Sequence, residues 1–322
     1  MSGERELLLR LAAGPTTGDA LAQGTGLTRA AVWKRIEALR EAGVRIEAQP
    51  GRGYALADPL ELLERDDIIH LLPSELRPRI SALEVAWALD STNSELLRRQ
   101  TPAGGATVLL AEQQTGGRGR RGRAWASPVA ANLYLSIARH FSGGLARLGG
   151  LSLVAGVAVA EALRARGFAD VGLKWPNDLV VGGRKLGGLL VEGGGEHGGP
   201  VRAVIGVGIN VRMPEAFAVT IDQPWIDLAG MAVSLPSRNA IAAQVLTQLL
   251  PVLDQFDEEG LAPFLSRYAH LDALAGREVM IHSAAGTEQG FAEGIAADGA
   301  LRVRMGGQTR NVHAGEISVR AQ

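Results

Sequence analysis

The chain has 322 residues, no cysteine, 46% hydrophobic residues and a formal net charge of −1. This composition predicts a globular protein of two or three domains and excludes disulfide and thiolate chemistry. The near-zero charge confines any surface for polyanions to a local patch. We expect a cytoplasmic protein without membrane contact, because the start MSGERELLLR lacks a signal-peptide core and the apolar stretch LGGLSLVAGVAVAEAL is too short to span a bilayer.

Residues 1–57 predict a winged helix-turn-helix. RELLLRLAA predicts a short helix, and TTGDALAQGTGLTRAAVWKRIEALREAG predicts two more helices around a tight turn. Thr17 or Asp19 can cap the first of these two helices, and Thr28 can cap the second. VRIEAQPGRGYAL then predicts a β-hairpin, the wing. Helical spacing predicts one buried stripe on the third helix, formed by Val32, Ile36 and Leu39.

The third helix of such a unit enters the major groove of DNA, and the wing reaches a phosphate. We therefore predict DNA contacts from these residues: Thr28, Arg29, Ala30, Trp33, Lys34 and, on the wing, Arg52. A packing or dimerisation module stays open as an alternative, because this unit carries about as many basic as acidic residues.

The rest of the chain predicts an α+β protein in three further parts. Residues 58–80 predict a linker and a short helix, residues 81–270 a mixed or antiparallel sheet backed by helices, and residues 271–322 a small SH3-like β-barrel. Central strands are predicted at ATVLLAEQQ, NLYLSIARH, VGLKWPN, DLVVGG, RKLGGLLVEGG and VRAVIGVGINV. Central helices are predicted at 94–100, 146–166, 239–258 and 261–269.

The sequence QQTGGRGRRGRAW, residues 113–125, is here named the Arg-Gly segment. Its glycines satisfy G-x-G-x-x-G, but a proline and a strand follow where a dinucleotide turn needs a helix, so a Rossmann turn is excluded. Guanidinium groups bind phosphate and carboxylate oxygens through paired hydrogen bonds. We interpret the segment as an anion clamp for a nucleotide, formed by Arg118, Arg120, Arg121 and Arg123. From these residues alone, an RNA-binding or solvated turn is equally open.

Three further stretches favour activation of a carboxylate by a nucleotide. DSTN places Ser91, Thr92 and Asn93 before a helix, where capping needs only one of them and the others can bind a polar ligand. RKLGGLLVE places Lys185 among apolar strand residues, where burial of its ammonium requires an anionic partner. GVGIN places Asn210 at the end of a glycine-rich strand, where backbone can approach a ligand.

These motifs resemble those of the bifunctional biotin–protein ligase and biotin operon repressor family of the winged-helix type. The resemblance extends over essentially the whole chain and rests on DSTN, QQTGGRGRRGRAWASP, ANLYLS, KWPNDL, RKLGGLLVE and GVGIN, with GLAPFLSRY and GEIS in agreement. It implies a two-step reaction. Biotin and ATP form biotinyl-5′-adenylate and pyrophosphate, and a lysine of the biotin carboxyl carrier protein of acetyl-CoA carboxylase then displaces AMP. Mg²⁺ would accompany the triphosphate, and no protein metal ligand is predicted.

The resemblance also implies residue roles. Biotin would contact Ser91, Thr92, Asn93, Gln114, Arg118, Gly119, Arg120 and Lys185. ATP or the adenylate would contact Arg118, Arg120, Arg121, Arg123, Trp125, Lys174, Asn177, Lys185 and Asn210. Catalysis would fall to Lys185, which bridges the two anions, to Arg120, which retains the adenylate, and to Asp178, which orients or deprotonates the carrier amine.

The helix-turn-helix unit implies that the adenylate-loaded protein forms a homodimer and binds an operator. Two alternatives stay open: a biotin-sensing repressor without transfer activity, and a lipoate–protein ligase on the same catalytic fold. A general RNA-binding protein is disfavoured, because aromatic residues are only 4% of the chain and the net charge is near zero.

Overall fold

The computed structural model describes residues 3–142, 144, 148–195, 201–283, 286–314 and 318–321. Residues 146–147 of the predicted helix 146–166, and residues 315–317 of the GEIS motif, lie outside the described residues.

The first unit is a winged helix-turn-helix, as predicted. It comprises α1 (Gly3–Ala12), α2 (Gly18–Thr25), α3 (Arg29–Glu41), β1 (Ile46–Gln49) and β2 (Gly53–Leu56), with β1 and β2 antiparallel. The hydroxyl of Thr17 accepts the Ala20 amide and that of Thr28 accepts the Ala31 amide, each at 3.2 Å, so both predicted caps form. The predicted stripe is buried against α1 in one apolar cluster with Leu7, Leu8 and Leu11: Val32, Ile36 and Leu39.

The central sheet is mixed. Its strands are β3 (Ile80–Leu89), β4 (Ala106–Gln114), β5 (Leu133–Phe141), β6 (Gly172–Lys174), β7 (Asp178–Val181), β8 (Arg184–Gly195) and β9 (Val201–Ile209), in the order β3-β4-β5-β9-β8-β7-β6. β3 and β4 are parallel and the other neighbours are antiparallel. Sequence analysis missed β3, since its three alanines and Glu84 weaken the apolar signal.

Helices cover one face of this sheet fully and the other only in part. They are α4 (Arg65–Leu71), α5 (Thr92–Arg98), α6 (Leu151–Ala165), α7 (Glu215–Ala218), α8 (Arg238–Glu259) and α9 (Leu265–Ala269), and α6 and α8 pack on the same face. On the other face, Leu96 of α5 packs on Leu109, Ala138 and Val204. Among the described residues, α5 contacts β4, β5 and β9 on this face.

The last unit is an antiparallel sheet of β10 (Glu278–Ser283), β11 (Gly286–Ile295), β12 (Leu301–Met305), β13 (Gln308–Val312) and β14 (Ser318–Ala321), in the order β13-β12-β11-β10-β14. Its buried Val279, Leu301 and Val303 belong to the same apolar cluster as the central sheet. Trp175 also joins the two units, because its indole nitrogen donates to Gly299 O at 3.0 Å. Over the described part of the chain, no helix combines the length and apolar character needed to cross a bilayer.

Candidate functional site

Glycines form the floor of the site, on the sheet face that α5 leaves open. Gly208 in β9 lies opposite Gly188 in β8. A Cβ at Gly206 would lie 2.4 Å from Asn93 Oδ1, and one at Gly208 would lie 2.8 Å from a carbon of the Trp125 indole. Residues on one strand face repeat about every 7 Å, so Asn93 and Trp125 cover adjacent parts of one floor.

Next to Gly206 lies a group of polar side chains, here named the hydroxyl–amide cluster: the buried Ser91, Thr92 and Asn93, and the half-buried Gln114. Ser91 is the N-cap of α5, and Gln114 Oε1 accepts the Thr92 amide at 2.9 Å. The hydroxyl of Ser136 lies 2.7 Å from Thr92 Oγ1 and 2.6 Å from Asn93 Oδ1. Only one of the three polar side chains Ser91, Thr92 and Asn93 serves as the helix cap. This agrees with the expectation from the sequence that capping needs only one of them.

Glu192 connects this cluster to the Arg-Gly segment. Its Oε2 accepts Asn93 Nδ2 at 2.9 Å, and its two oxygens lie 2.9 and 3.0 Å from Arg118 Nη2. Sequence reasoning missed both Glu192 and Ser136. The available signal was a polar residue within an apolar strand, in RKLGGLLVE and NLYLSIARH respectively.

The turn before α5 is fixed by an arginine. Arg98 donates to both oxygens of Asp90 at 2.8 Å, and these hydrogen bonds hold the pKa of Asp90 at about 2. Asp90 Oδ1 also accepts the Ser91 amide at 2.8 Å, and Asp90 O accepts the Gly116 amide at 2.8 Å. Asp90 at the start of the DSTN turn is therefore hydrogen-bonded to Gly116 near the start of the Arg-Gly segment.

Next to Gly208 lies a second group, here named the lysine cluster: Lys185, Asp178 and Trp125. Lys185 Nζ lies 2.8 Å from Asp178 Oδ1 and 5.5 Å from the centre of the Trp125 ring. Both charged side chains are about one-fifth exposed, at 19% and 21%. The anionic partner that the sequence requires for Lys185 is therefore Asp178, on the neighbouring strand.

Two amides brace the backbone around Lys185. Asn177 Nδ2 donates to Leu189 O at 2.6 Å, and Asn210 Nδ2 lies 3.1 Å from Ile226 O and 3.4 Å from Lys185 O. Their NH₂ groups thus contact the protein backbone and position the lysine. Lys174, the cross-strand neighbour of Asp178, is half-buried at the end of β6.

The Arg-Gly segment folds back on itself beside both clusters. The Gly119 amide donates to Arg123 O at 2.8 Å, and the Trp125 amide donates to Gly117 O at 2.8 Å. Arg118 points to Glu192, whereas Arg121 and Arg123 are exposed. These contacts leave two further guanidinium groups at the solvent edge of the site.

Arg120 is half-buried and donates to Ala314 O, at the end of the C-terminal sheet. Burial, and then the charge of Arg121, lowers the pKa of its guanidinium from the usual value. Asp178 is close enough to oppose this shift. An anion bound between Arg120 and Lys185 would therefore be stabilised electrostatically.

The predicted DNA contacts are all exposed side chains. Thr28, Arg29, Ala30, Trp33 and Lys34 of the third helix are exposed, as is Arg52 at the tip of the wing. Trp33 is 55% exposed.

The fold and the site define a class of protein, in which a helix-turn-helix unit precedes an α+β domain with an arginine- and glycine-rich loop beside its sheet. Three family models match the chain in this order: the HTH domain at residues 5–55, the Biotin/lipoate A/B protein ligase family at 86–210, and the Biotin protein ligase C terminal domain at 275–320.

Relatives match across nearly the whole chain. The bifunctional ligase/repressor BirA of Escherichia coli (strain K12) is 40% identical over 95% of this chain and 93% of its own length. The biotin–[acetyl-CoA-carboxylase] ligase of Mycobacterium tuberculosis is 36% identical over 73% of this chain and 88% of its own length. The solved biotin protein ligase from Aquifex aeolicus, in complex with biotin and ATP, has a TM-score of 0.63 and is 27% identical, covering 75% of this chain and 100% of that chain. The chain belongs to the bifunctional biotin ligase/repressor family.

The glycine floor gives a prediction about stability. Gly206→Ala forces the buried Asn93 amide to move, and overpacking of this kind lowers the free energy of unfolding by about 1–3 kcal/mol. Gly194→Ala is the matched control, because Gly194 is exposed in β8 with nothing within 4 Å of an added Cβ, and its effect stays within about 0.5 kcal/mol. Urea denaturation followed by far-UV circular dichroism measures both. Equal stability of the two variants would contradict the close packing of Asn93 on β9.

Proposed function

We propose that the chain is an ATP-dependent biotin–protein ligase and a biotin-responsive transcriptional repressor. The observation that carries the ligase proposal is the adjacency of the hydroxyl–amide cluster and the lysine cluster on one glycine floor. The first offers neutral donors and acceptors, and the second offers a cation with a carboxylate beside it.

The hydroxyl–amide cluster suits the ureido ring of biotin, which presents a carbonyl acceptor and two N–H donors. Thr92 and Ser136 supply hydroxyls, and Asn93 and Gln114 supply amides. A site with matched buried polar groups rejects a ligand that leaves them unpaired by several orders of magnitude. Lipoate has a dithiolane ring with no such groups, so this cluster favours biotin.

In the first step, an oxygen of the biotin carboxylate attacks the α-phosphorus of ATP. The bond from that phosphorus to the bridging oxygen breaks, and pyrophosphate leaves. Lys185, which is held beside Asp178 in the ligand-free site, would contact both anions and reduce their repulsion. To do so its ammonium exchanges Asp178 for the two substrates.

The Arg-Gly segment would hold the adenylate. Arg118 and Gly119 close over the biotin chain, Arg120 contacts the phosphate, and Arg121 and Arg123 supply positive charge at the edge. Trp125 supplies a ring face for adenine and an indole Nε1 that is buried with no hydrogen-bond partner among the described residues. The phosphate end of the adenylate would be lined or braced by Lys174, Asn177 and Asn210.

In the second step, the side-chain amine of a lysine of the biotin carboxyl carrier protein attacks the carbonyl carbon of the adenylate. An amide bond forms and AMP leaves. Once Lys185 contacts the substrate anions, Asp178 is available to accept a proton from the carrier ammonium. Asp178 can therefore act as a base only after Lys185 has left it to contact the substrates.

Mg²⁺ would enter with the triphosphate, since it retains several waters and is bound mainly by substrate phosphates with one or two carboxylates. No group of three or more His, Cys, Asp or Glu side chains is placed for a metal within the described ranges. Asp178 and Glu192 are the carboxylates beside the floor, and each is already paired with a cation. These residues fit partial contact with a phosphate-bound ion, which would supply charge neutralisation to the pyrophosphate.

For the repressor role, the exposed surface of α3 and Arg52 would contact operator DNA. The adenylate-bound chain would act as a homodimer, so that a symmetric operator presents two half-sites.

The ligase proposal is tested by intact-mass spectrometry of a biotin carboxyl carrier domain incubated with the protein, Mg-ATP and either biotin or lipoate. We expect one biotin added per carrier, no addition without ATP and none with lipoate. Arg120→Gly should release adenylate and biotinylate unrelated lysines of added serum albumin, whereas Arg166→Gly, an exposed residue at the end of α6, should not. Tight biotin binding without transfer would instead indicate a sensor that only represses.

The DNA surface gives a prediction about salt dependence. A duplex selected from a random library in the presence of biotin and Mg-ATP serves as the probe. Arg52→Ala removes one phosphate contact, so the slope of log K against log salt should become shallower by about 1. Arg302→Ala, on an exposed position of β12, should leave the slope unchanged. An unchanged slope for Arg52→Ala would remove the wing from the DNA interface.

A further inference from the structure

A buried ion pair lies away from the chemistry proposed above. Arg238, the first residue of α8, is 5% exposed, and Glu112 in β4 is 2% exposed. Arg238 Nη1 lies 2.8 Å from Glu112 Oε2, off the direction of an aligned hydrogen bond, so the contact is an ion pair. Because desolvation offsets much of the attraction in such pairs, stability alone does not account for it.

The pair holds the backbone of residues 61–64, here named the linker, which joins the winged unit to α4. Glu112 Oε1 accepts the Leu63 amide at 2.5 Å, and Arg238 Nη2 donates to Glu61 O. The Glu61 carboxylate in turn accepts the Arg238 amide at 2.9 Å. Both charged side chains therefore form hydrogen bonds with main-chain atoms of the linker.

The linker lies between two apolar cores. Leu62 belongs to the core of the winged unit, and Leu63 belongs to the core of the central sheet. Glu64 is paired with Arg5 of α1. A shift of the linker would therefore move both cores relative to each other.

The same pair holds residues 128–132, here named the exit segment, because it leads out of the Arg-Gly segment. The Ala130 amide donates to Glu112 O at 3.0 Å, and Arg238 Nη1 donates to Asn132 O at 3.2 Å. The Ala130 bond is to the main-chain carbonyl of Glu112. Of the two paired side chains, Arg238 contacts both the linker and the exit segment, whereas Glu112 contacts the linker and holds Arg238 in place.

The exit segment contacts the winged unit directly. The Val129 amide donates to Ala42 O, just after α3, at 3.0 Å. Val129 and Ala130 belong to the apolar core of the winged unit. Only two residues before Val129, Ser127 accepts a hydrogen bond from Gln114 of the hydroxyl–amide cluster at 3.2 Å. A continuous set of contacts therefore runs from the site to the end of the DNA-binding helix.

We propose that Glu112 and Arg238 are positioning residues that couple the Arg-Gly segment to the winged unit, by holding the linker and the exit segment in one arrangement. This inference rests on the proposed function, since it concerns how the adenylate acts on the DNA-binding unit. Coupling between two sites is reciprocal, so DNA bound to the winged unit also stabilises the adenylate-bound site.

The test is hydrogen-exchange mass spectrometry of the full chain, with and without biotin plus Mg-ATP and without carrier. In the wild type we expect slower exchange both in residues 113–127 and in residues 3–56, the latter by about fivefold or more, the lower end of typical couplings. Glu112→Gln breaks the pair. The double variant Glu112→Gln with Arg238→Met leaves no unpaired buried charge, so it replaces the single variant in the experiment if the single variant folds poorly.

In both variants we expect the slowing in residues 113–127 to persist and the slowing in residues 3–56 to fall below about twofold. Glu161→Gln, which breaks the half-exposed pair with Arg267, is the control and should behave as the wild type. Two results would overturn the inference. In the first, exchange in residues 3–56 of the double variant still slows when biotin and Mg-ATP are added. In the second, exchange in the wild type slows in residues 113–127 but not in residues 3–56. No response in residues 113–127 of the wild type would instead count against the ligase proposal.

Discussion

A carboxylate and an α-phosphate repel each other, and an enzyme that joins them must place a cation between them. In the proposed mechanism Lys185 is that cation, and its position has a cost, because its ammonium is only about one-fifth exposed and needs an anion when no substrate is bound. Asp178 provides the anion at 2.8 Å and Trp125 covers the ammonium with its ring. In the proposed mechanism, the carboxylate of this pair then serves as the base in the second step. Adenylate formation would then precede transfer to the carrier, because Asp178 becomes available as a base only when Lys185 exchanges it for the substrate anions.

The sheet makes this exchange possible by leaving room for it. Gly188, Gly206 and Gly208 carry no side chains on this face, so Lys185 and Asp178 lie over Gly188, Asn93 lies over Gly206 and Trp125 lies over Gly208. Helix α5 buries the neighbouring part of the face with Leu96, which sets the boundary of the site. The neutral and the charged cluster therefore lie side by side on one sheet face.

Much of this arrangement could be predicted from the sequence. Capping residues, helical spacing and a hairpin predicted the winged unit, and the surplus of polar groups in DSTN predicted a polar pocket. The partner of Lys185 could not be read from strand alternation, because a register shift between Leu179 and Val180 brings Asp178 to it. Glu192 and Ser136 were missed for a related reason: their neighbours come from α5 and the Arg-Gly segment, so no local pattern contains them.

The buried pair of Glu112 and Arg238 shows the same limit over a longer range. These residues are 126 positions apart, and each contacts main-chain atoms of segments that no periodic pattern connects. Asn177 and Asn210, in contrast, were found by motif, but their amide NH₂ groups bind backbone around Lys185. Motifs therefore locate residues near the proposed chemistry, whereas the hydrogen-bond partners of those residues are seen only in the packed structure.

The exchange of partners by Lys185 is tested most directly by a rapid-quench experiment on Asp178→Asn, which separates adenylate formation from transfer to the carrier. The account predicts that adenylate formation stays within about threefold of the wild type, whereas transfer slows by about 10²-fold or more, as loss of a general base does. Equal slowing of both steps, or transfer at the wild-type rate, would contradict the assignment of Asp178 to the second step.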